Sequence, residues 1–209
     1  MDIIAHRGFW LNKEEQNTEI AFKRALTNGF GIETDLRDES KSIVISHDIP
    51  PGNCMSFSSF LDLSKIAPHA TLALNIKADG LQHCLSLSEP VNPHFYFDMS
   101  APDMLGYLHR GMPVYTRYSD IENQPTLIEK CRGVWLDNFK DGELNVDALR
   151  KFLRLGKNVV LVSPELHKRN MSTYWSVLKE FLDNNISYKS SVGMCTDYPL
   201  DARNFFNGQ

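Results

Sequence analysis

The sequence lacks several features that would assign it to a specialised class of protein. Its four cysteines form no Cys-x-x-Cys pair, which gives no support for a zinc or dithiol redox site and is typical of free buried thiols. No apolar run approaches the roughly 20 residues that span a bilayer. No basic and apolar leader follows Met1. We therefore expect a soluble, cytoplasmic protein without membrane insertion.

A strong surplus of one charge is also missing. The 22 basic and 26 acidic residues give a formal net charge of -4, so nothing favours binding to nucleic acid or to an anionic membrane surface. At 209 residues the chain suits one well-buried domain, and it contains no low-complexity run, charge block or linker. We predict a single domain over residues 1–209 with a small-molecule partner. The sequence does not indicate the oligomeric state.

Short apolar runs typical of strands recur along the chain, and segments of helical period lie between most of them. The segment "NTEIAFKRALTNG" gathers its apolar residues on one side and stops at Gly29, while Asn145 and Ser172 are candidate N-caps of two later helices. Alternating strands and helices imply parallel pairing through right-handed crossovers. The predicted strands are residues 2–6, 31–36, 42–47, 71–77, 94–98, 113–117, 133–137, 158–163 and 192–197.

The strand count predicts an α/β protein with the fold of a compact (β/α)8 TIM barrel. Residues 31–36 and 42–47 are counted as one strand and its returning partner, which leaves eight βα steps. A doubly wound open sheet is the alternative. The barrel is favoured because nearly every strand is apolar until its C-terminal end, where barrels build their active sites. The polar residues at these ends are His6, Glu33, Asp35, His47, Asn75, Lys77, Asp98, Arg117, Asp137, Glu165 and Asp197.

Two pairs of polar residues at strand ends predict a cation site. Side chains alternate along a strand, so Glu33 and Asp35 point the same way, and so do Asn75 and Lys77. Two crowded carboxylates repel unless a cation lies between them. Oxygen ligands favour a hard divalent ion such as Mg2+ or Ca2+. The alternative is a solvated strand end paired with nearby arginine or lysine side chains.

Two histidines predict acid–base chemistry. His6 and His47 each end a predicted strand, and two imidazoles facing one site can divide the work of general base and general acid. Arg7 can fork onto a phosphate, and Lys77 adds a second cation. A cation, two basic side chains and two imidazoles favour an anionic tetrahedral substrate such as phosphate. The alternative for each histidine is a hydrogen-bonded structural role.

The order of these motifs resembles the glycerophosphodiester phosphodiesterase family, within the phosphatidylinositol-phosphodiesterase-like TIM barrel superfamily. The family shows an HRG strand, a P-E-N-T helix start, an E-x-D strand, an H-D strand end and an E-x-K strand. The corresponding stretches here, in the same order, are His6-Arg7-Gly8, Asn17-Thr18, "GIETDL", "SIVISHD" and "NIK". The closing "CTDYP" is similar to the family's final strand, so the resemblance spans the whole chain.

The resemblance implies a (β/α)8 barrel that hydrolyses a small soluble phosphodiester with one divalent cation, Mg2+ or Ca2+, with Mn2+ as a further possibility. By matching motif, His6 and His47 are the acid–base pair. Glu33 and Asp35 are metal ligands, with Asn75 as the third candidate, and Arg7 and Lys77 contact the phosphate.

Three departures from the family pattern affect this prediction. Gln16 replaces a glutamate of P-E-N-T, which we interpret as minor because that carboxylate need not bind metal. Asn75 stands where the family usually has a third acidic ligand, and an amide oxygen adds no charge, so we expect weaker metal binding. The segment between Asp48 and residue 71 has room for a turn and one helix only, which weakens the case for a glycerol group more than for the diester chemistry.

Several alternatives stay open. Glu165 and Trp135 are candidate substrate-binding residues, although a surface ion pair for Glu165 and a core position for Trp135 explain them as well. A catalytically impaired barrel that binds a phosphorylated ligand is the second hypothesis. A phospholipase-C-like lyase that forms a cyclic phosphate is a variant of the first. A barrel of unrelated chemistry, with Lys77 forming a Schiff base, is the third.

Overall fold

The computed structural model describes residues 1–208, and the chain divides into two compact units. We call Ile4–Val114 the N-terminal unit, and Met1–Ile3 with the residues from Tyr115 onward the C-terminal unit. The prediction of one domain over residues 1–209 stays a prediction. No helix within residues 1–208 combines the length and the apolar character needed to cross a bilayer.

The N-terminal unit carries four parallel strands, the first of which contributes its residues from Ile4 onward. They pair in the order β1-β2-β4-β5, and β3 returns antiparallel to β2, as expected for residues 31–36 and 42–47. The elements are β1 (Asp2–His6), a 3-10 turn (Lys13–Glu15), α1 (Glu19–Thr27), β2 (Gly31–Glu39), β3 (Ser42–Ile45), α2 (Phe57–Ser64), β4 (Leu72–Ile76), α3 (Gln82–Ser86), β5 (His94–Phe97) and α4 (Ala101–His109).

Helix α1 is fixed to this sheet by its apolar face. It ends at Thr27 because Asn28 and Gly29 leave the helical conformation, with Gly29 at φ +74°. Phe22 of α1 is fully buried and meets Phe60 of α2 edge to face, with ring centroids 4.9 Å apart. Burial of one such ring stabilises the fold by about 1.5–3 kcal/mol. The helix therefore holds the segment before it, residues 7–18, against the ends of β1 and β2.

The C-terminal unit repeats the pattern with four further parallel strands in the described residues. They pair in the order β6-β7-β8-β9. Its buried core includes Leu149, Phe152 and Leu178. The elements are β6 (Tyr115–Tyr118), β7 (Gly133–Leu136), α5 (Val146–Arg154), β8 (Asn158–Val162), a 3-10 turn (Pro164–His167), α6 (Ser172–Asn184), a second 3-10 turn (Ile186–Ser191), β9 (Val192–Thr196) and α7 (Pro199–Asn207).

One of the two predicted helix caps in this unit is confirmed and the other is wrong. The Asn145 side chain accepts a hydrogen bond from the Ala148 backbone N–H at 2.9 Å, which caps α5 as expected. Ser172 is instead the first residue of α6. Asn170 Oδ1 accepts from the Ser172 backbone N–H at 2.8 Å, so the asparagine two residues earlier satisfies that donor.

Candidate active site

Strand register brings the predicted polar residues of the N-terminal unit together. In the β1–β2 pairing His6 lies opposite Glu33, and in the β2–β4 pairing Asp35 lies opposite Asn75. His6 Nε2 is 3.9 Å from Glu33 Oε2, and Asn75 Nδ2 donates to Glu33 Oε1 at 3.2 Å. Lys77 follows β4, and its Nζ is 3.4 Å from Asp35 Oδ1. The ends of β1 and β4 and the middle of β2 thus form one polar cluster.

Arg7 turns away from the end of β1 in a strained conformation. Its φ of +55° is in the left-handed region, which costs a non-glycine residue of order 1–3 kcal/mol. The Arg7 backbone N–H donates to Glu33 Oε2 at 3.2 Å. Gly8, at φ +85°, follows because an added Cβ would lie 2.9 Å from Ala21. The His-Arg-Gly stretch is therefore a tight turn that places the guanidinium beside the carboxylates, where its Nε lies 3.1 Å from Asp35 Oδ2.

Asn17 is a site residue to which the sequence analysis assigned no role beyond the start of α1. Its Nδ2 donates to Asp35 Oδ2 at 2.8 Å, and its Oδ1 accepts from the Thr34 hydroxyl at 2.8 Å. Its backbone N–H donates to the Arg7 carbonyl oxygen at 3.0 Å. Asn17 has φ +58°, a conformation that asparagine tolerates better than most residues. An asparagine in a turn just before a helix is the sequence signal that could have identified Asn17.

The electrostatics of the cluster differ between its two carboxylates. Glu33 is buried, and burial first and the neighbouring Asp35 charge second raise its pKa above the ordinary glutamate value; His6, Lys77 and Arg7 oppose the shift. Asp35 is equally buried but lies between Arg7 and Lys77. Arg7 and Lys77 therefore stabilise the charge of Asp35. The charge of Glu33 would be stabilised by a bound cation.

His47 lies beyond β3 at the edge of a large cavity. Its Nδ1 is 2.9 Å from Asp48 Oδ1, and this contact lowers the pKa of Asp48. Arg7 and His47 line the same cavity of about 830 Å³, together with Gln16 and Asn17. His6 is not part of that lining within the described residues. The structure thus brings Arg7 and His47 to one cavity and His6 to the carboxylates.

The oxygen atoms of the cluster fit a hard divalent cation. Among residues 1–208, Asn75 Oδ1 and Asp35 Oδ1 are buried acceptors that receive no hydrogen bond. Buried acceptors without a donor are costly, so such atoms are usually matched by a ligand or water. In the same residues no group of three or more His, Cys, Asp or Glu side chains forms a metal site. The candidate set here is two carboxylates and one amide, which suits Mg2+ or Ca2+.

The remaining predicted site residues lie in the C-terminal unit. Trp135 is buried in β7, at 6% exposure. Glu165 lies in the 3-10 turn after β8, where its Oε1 accepts from the Thr196 hydroxyl at 2.5 Å and from the Asp197 backbone N–H at 3.1 Å. Their proposed contact with substrate stays a prediction. The partner of Asp137 was not predicted from the sequence: its Oδ1 lies 2.7 Å from His167 Nε2.

Comparison with known proteins identifies the fold class. No protein-family model matches the sequence, and a search of curated proteins finds no match. Solved structures do match over nearly the whole chain, and they share the compact (β/α)8 TIM barrel. The predicted fold is therefore confirmed, with eight parallel strands in the described residues.

The matching structures include phosphodiesterases. A glycerophosphodiester phosphodiesterase from Parabacteroides distasonis has a TM-score of 0.65 and 15% identity, with 99% of this chain and 97% of that chain covered. A phosphodiesterase from Oleispira antarctica, in complex with the product sn-glycerol-3-phosphate, has a TM-score of 0.72, 14% identity and the same coverage. A Ca2+-dependent phosphatidylinositol-specific phospholipase C from Streptomyces antibioticus has a TM-score of 0.56 and 11% identity, with 98% and 95% covered. The predicted resemblance is confirmed at the level of fold.

Proposed function

We propose that the protein is a metal-dependent phosphoric diester hydrolase acting on a small, glycerophosphodiester-like substrate. The observation that carries this proposal is the cluster in which Arg7 and Lys77 flank Asp35, while Glu33 and Asn75 add further oxygen atoms. Such a cluster combines cation ligands with anion-binding groups, which is what a phosphodiester bound beside a metal ion requires. The phosphodiesterase fold of the matching structures supports it.

Glu33, Asp35 and Asn75 are the residues that would hold the cation, Mg2+ or Ca2+. When bound, the ion would supply positive charge for the phosphoryl oxygens. The Ca2+ dependence of the Streptomyces phospholipase C supports a divalent ion of this class. Asn75 contributes an uncharged oxygen, since its Nδ2 is committed to Glu33 and its Oδ1 accepts nothing within residues 1–208.

The basic residues would bind the phosphate, and the imidazoles would transfer the protons. Arg7 and Lys77 bind the non-bridging oxygens of the diester. One imidazole of the pair His6 and His47 takes the proton from the attacking water as its oxygen bonds to phosphorus. The other gives a proton to the departing alkoxide as the P–O bond breaks, so one alcohol and one phosphomonoester leave. Asp48 occupies His47 Nδ1, which leaves Nε2 for the proton transfer.

Two alternative functions have specific support. The likeness to a phospholipase C fold favours a reaction in which a hydroxyl of the substrate attacks, and 31P NMR of the product mixture would then show a cyclic phosphate. Asn75 in place of an acidic ligand favours a barrel that binds a phosphorylated ligand without turnover. Saturable binding of sn-glycerol-3-phosphate, without hydrolysis of any diester, would identify this second alternative.

Hydrolysis by the metal-stripped protein tests the proposal. Bis(4-nitrophenyl) phosphate and a panel of glycerophosphodiesters would be assayed after addition of Mg2+, Ca2+ or Mn2+. We expect turnover that requires metal and that is lost in both His6→Ala and Glu33→Ala. His69→Ala, which removes an exposed histidine of the same unit, is the matched control and should keep full activity. A folded wild type that is inert with every metal and diester contradicts the proposal, unless Asn75→Asp or Asn75→Glu gains activity.

A further inference from the structure

A cavity of about 410 Å³ in the C-terminal unit is lined by aromatic residues and by one acidic residue. Trp175, Tyr198 and Phe205 are the aromatic residues, and Glu165 is the acidic one. Trp175 is buried, whereas Tyr198 and Phe205 are exposed. The volume falls within the range of roughly 300–1,000 Å³ that is usual for small-molecule sites. The cavity can therefore accept a small ligand, and its lining determines the chemistry that this ligand needs.

The Glu165 carboxylate is held in place by neutral donors. Its Oε1 accepts from the Thr196 hydroxyl at 2.5 Å and from the Asp197 backbone N–H at 3.1 Å. Its Oε2 accepts from the Ser163 hydroxyl. These bonds occupy most of the about four acceptor positions of a carboxylate, but they bring no positive charge. Glu165 thus keeps its negative charge while it has little capacity to accept further hydrogen bonds.

The two hydroxyls also connect the aromatic residues of the cavity to Glu165. Trp175 Nε1 donates to Ser163 Oγ at 2.8 Å, and the Ser163 hydroxyl donates in turn to the carboxylate. The Tyr198 backbone N–H donates to Thr196 Oγ1 at 3.1 Å, and the Thr196 hydroxyl donates to Glu165 in the same way. Both chains of hydrogen bonds end at the carboxylate, so Trp175 and Tyr198 are positioned relative to its charge before a ligand binds.

The arginine that lines this cavity is committed to other partners. Arg169 Nη1 donates to the Asn138 carbonyl oxygen at 3.4 Å, and its Nη2 donates to the Phe139 carbonyl oxygen. By contrast, Lys179 Nζ lies 6.0 Å from the centroid of the Phe205 ring, at the outer limit of a cation–π contact. One ring of the cavity therefore already attracts a cation, while the guanidinium binds backbone oxygen atoms.

We propose that this cavity binds a small quaternary ammonium ion through the charge of Glu165 and the faces of the aromatic side chains. Such an ion carries its positive charge on an apolar body and has no N–H to donate, so it suits a carboxylate whose acceptor positions are largely occupied. A primary ammonium is more strongly hydrated and needs acceptors for three N–H groups. The inference goes beyond the proposed hydrolysis and does not depend on it, because every residue of this site lies in the C-terminal unit.

Calorimetric titration of the full chain with tetramethylammonium chloride tests this inference without turnover. We expect millimolar binding, and about tenfold weaker binding of methylammonium chloride at the same ionic strength, because methylammonium loses hydration without gaining acceptors. Sedimentation with phosphatidylcholine vesicles identifies the source of the ammonium group. Co-sedimentation that tetramethylammonium displaces assigns the site to a lipid headgroup, whereas binding of the free ion alone assigns it to a soluble molecule.

Two variants test the charge and the aromatic wall separately. Glu165→Gln keeps the shape but removes the charge and should weaken tetramethylammonium binding about tenfold. Its matched control is Glu180→Gln, at an exposed glutamate outside the cavity lining, which should change binding less than about twofold. Phe205→Leu, at 36% exposure, should weaken binding about threefold. Phe139→Leu, at 38% exposure and also outside the lining, is its control and should bind as wild type does.

Thermal unfolding should confirm that each variant folds, and Phe205→Leu keeps the test decisive if Glu165→Gln does not. A folded wild type that binds no tetramethylammonium at high millimolar concentration overturns the inference. Equal affinity for methylammonium does so as well, since the carboxylate would then be accepting hydrogen bonds from its ligand. An equal loss of binding in a variant and its matched control would also overturn it.

Discussion

The two units contain similar polar clusters at the ends of their strands, and they differ in how the carboxylates are satisfied. In the C-terminal unit, Glu165 accepts from two hydroxyls and a backbone N–H, and Asp137 is bonded by His167 and by a backbone N–H. In the N-terminal unit, buried acceptors of Asp35 and Asn75 receive no hydrogen bond within the described residues. The carboxylates of the C-terminal cluster are therefore satisfied by protein donors, whereas the N-terminal cluster has buried acceptors that could bind a ligand.

This difference separates a structural carboxylate from a functional candidate. Satisfied lone pairs hold loops and strand ends together, and removal of one partner costs about 1–3 kcal/mol. Asp35 Oδ1 and Asn75 Oδ1 receive no hydrogen bond within the described residues, and they lie beside Arg7 and Lys77, where a bound ligand would satisfy them. The comparison therefore assigns the proposed chemistry to the N-terminal unit.

An aspartate-to-asparagine substitution should lower activity in the N-terminal cluster and lower stability in the C-terminal cluster. Asp35→Asn should lower diesterase activity about a thousandfold, because it removes the charge of a proposed metal ligand, which is also the partner of Arg7 and Lys77. Asp137→Asn should lower the free energy of unfolding by about 1–3 kcal/mol, because the bond to His167 is weakened. Activity per folded molecule and urea unfolding measure the two effects. Loss of activity in a fully folded Asp137→Asn protein would erase the distinction between the clusters.

The sequence predicted the members of the N-terminal cluster better than their contacts. The position of a polar residue at a strand end follows from alternation and strand order, so His6, Glu33, Asp35 and Asn75 meet as expected. Whether a carboxylate oxygen accepts a hydrogen bond depends on donors from segments that are distant in the sequence. Asn17 reaches Asp35 across 18 positions, and no local pattern encodes that distance.

The hydrogen bonds of the C-terminal cluster also could not be predicted from the sequence. The sequence places Glu165 and Asp137 near strand ends, as it does Glu33 and Asp35, although it predicts a metal site only for the last two. The bond between Asp137 and His167 joins residues 30 positions apart and became visible only in the fold. Strand periodicity thus predicts which residues reach the end of a sheet, and tertiary packing decides which of them remain available to a ligand.

The cysteines extend the comparison from carboxylates to thiols. In the N-terminal unit Cys84 is exposed and Cys54 half-buried, whereas Cys131 and Cys195 of the C-terminal unit are buried. Burial raises the pKa of Cys131 to about 11, so very little thiolate forms near pH 8. Iodoacetamide at pH 8 should therefore label Cys131 about a hundredfold more slowly than Cys84.

Mass spectrometry of tryptic peptides would follow this labelling, with Cys84→Ser as the control for peptide assignment. The rate at Cys131 should rise as the pH approaches its pKa, because the thiolate is the reactive form. Equal rates for the two thiols in the folded protein would mean that the C-terminal unit opens readily, and its cluster would then not be the closed structure inferred from its hydrogen bonds.

Asn75→Asp should increase the difference between the units by adding a charge to the N-terminal cluster. It places a third carboxylate next to Glu33 and Asp35, so the affinity for Mg2+ or Ca2+ should rise about tenfold. The metal-free variant should be less stable than wild type, because a buried like charge is added beside Glu33, whose pKa is already raised by burial. Calorimetric metal titration and thermal unfolding with and without metal measure both changes.

Asn138→Asp, an amide-to-acid change in the C-terminal unit, should leave metal affinity unaltered. A gain in affinity that appears equally in both variants would reflect net charge alone, whereas a gain confined to Asn75→Asp would show that the amide oxygen of Asn75 faces the ion.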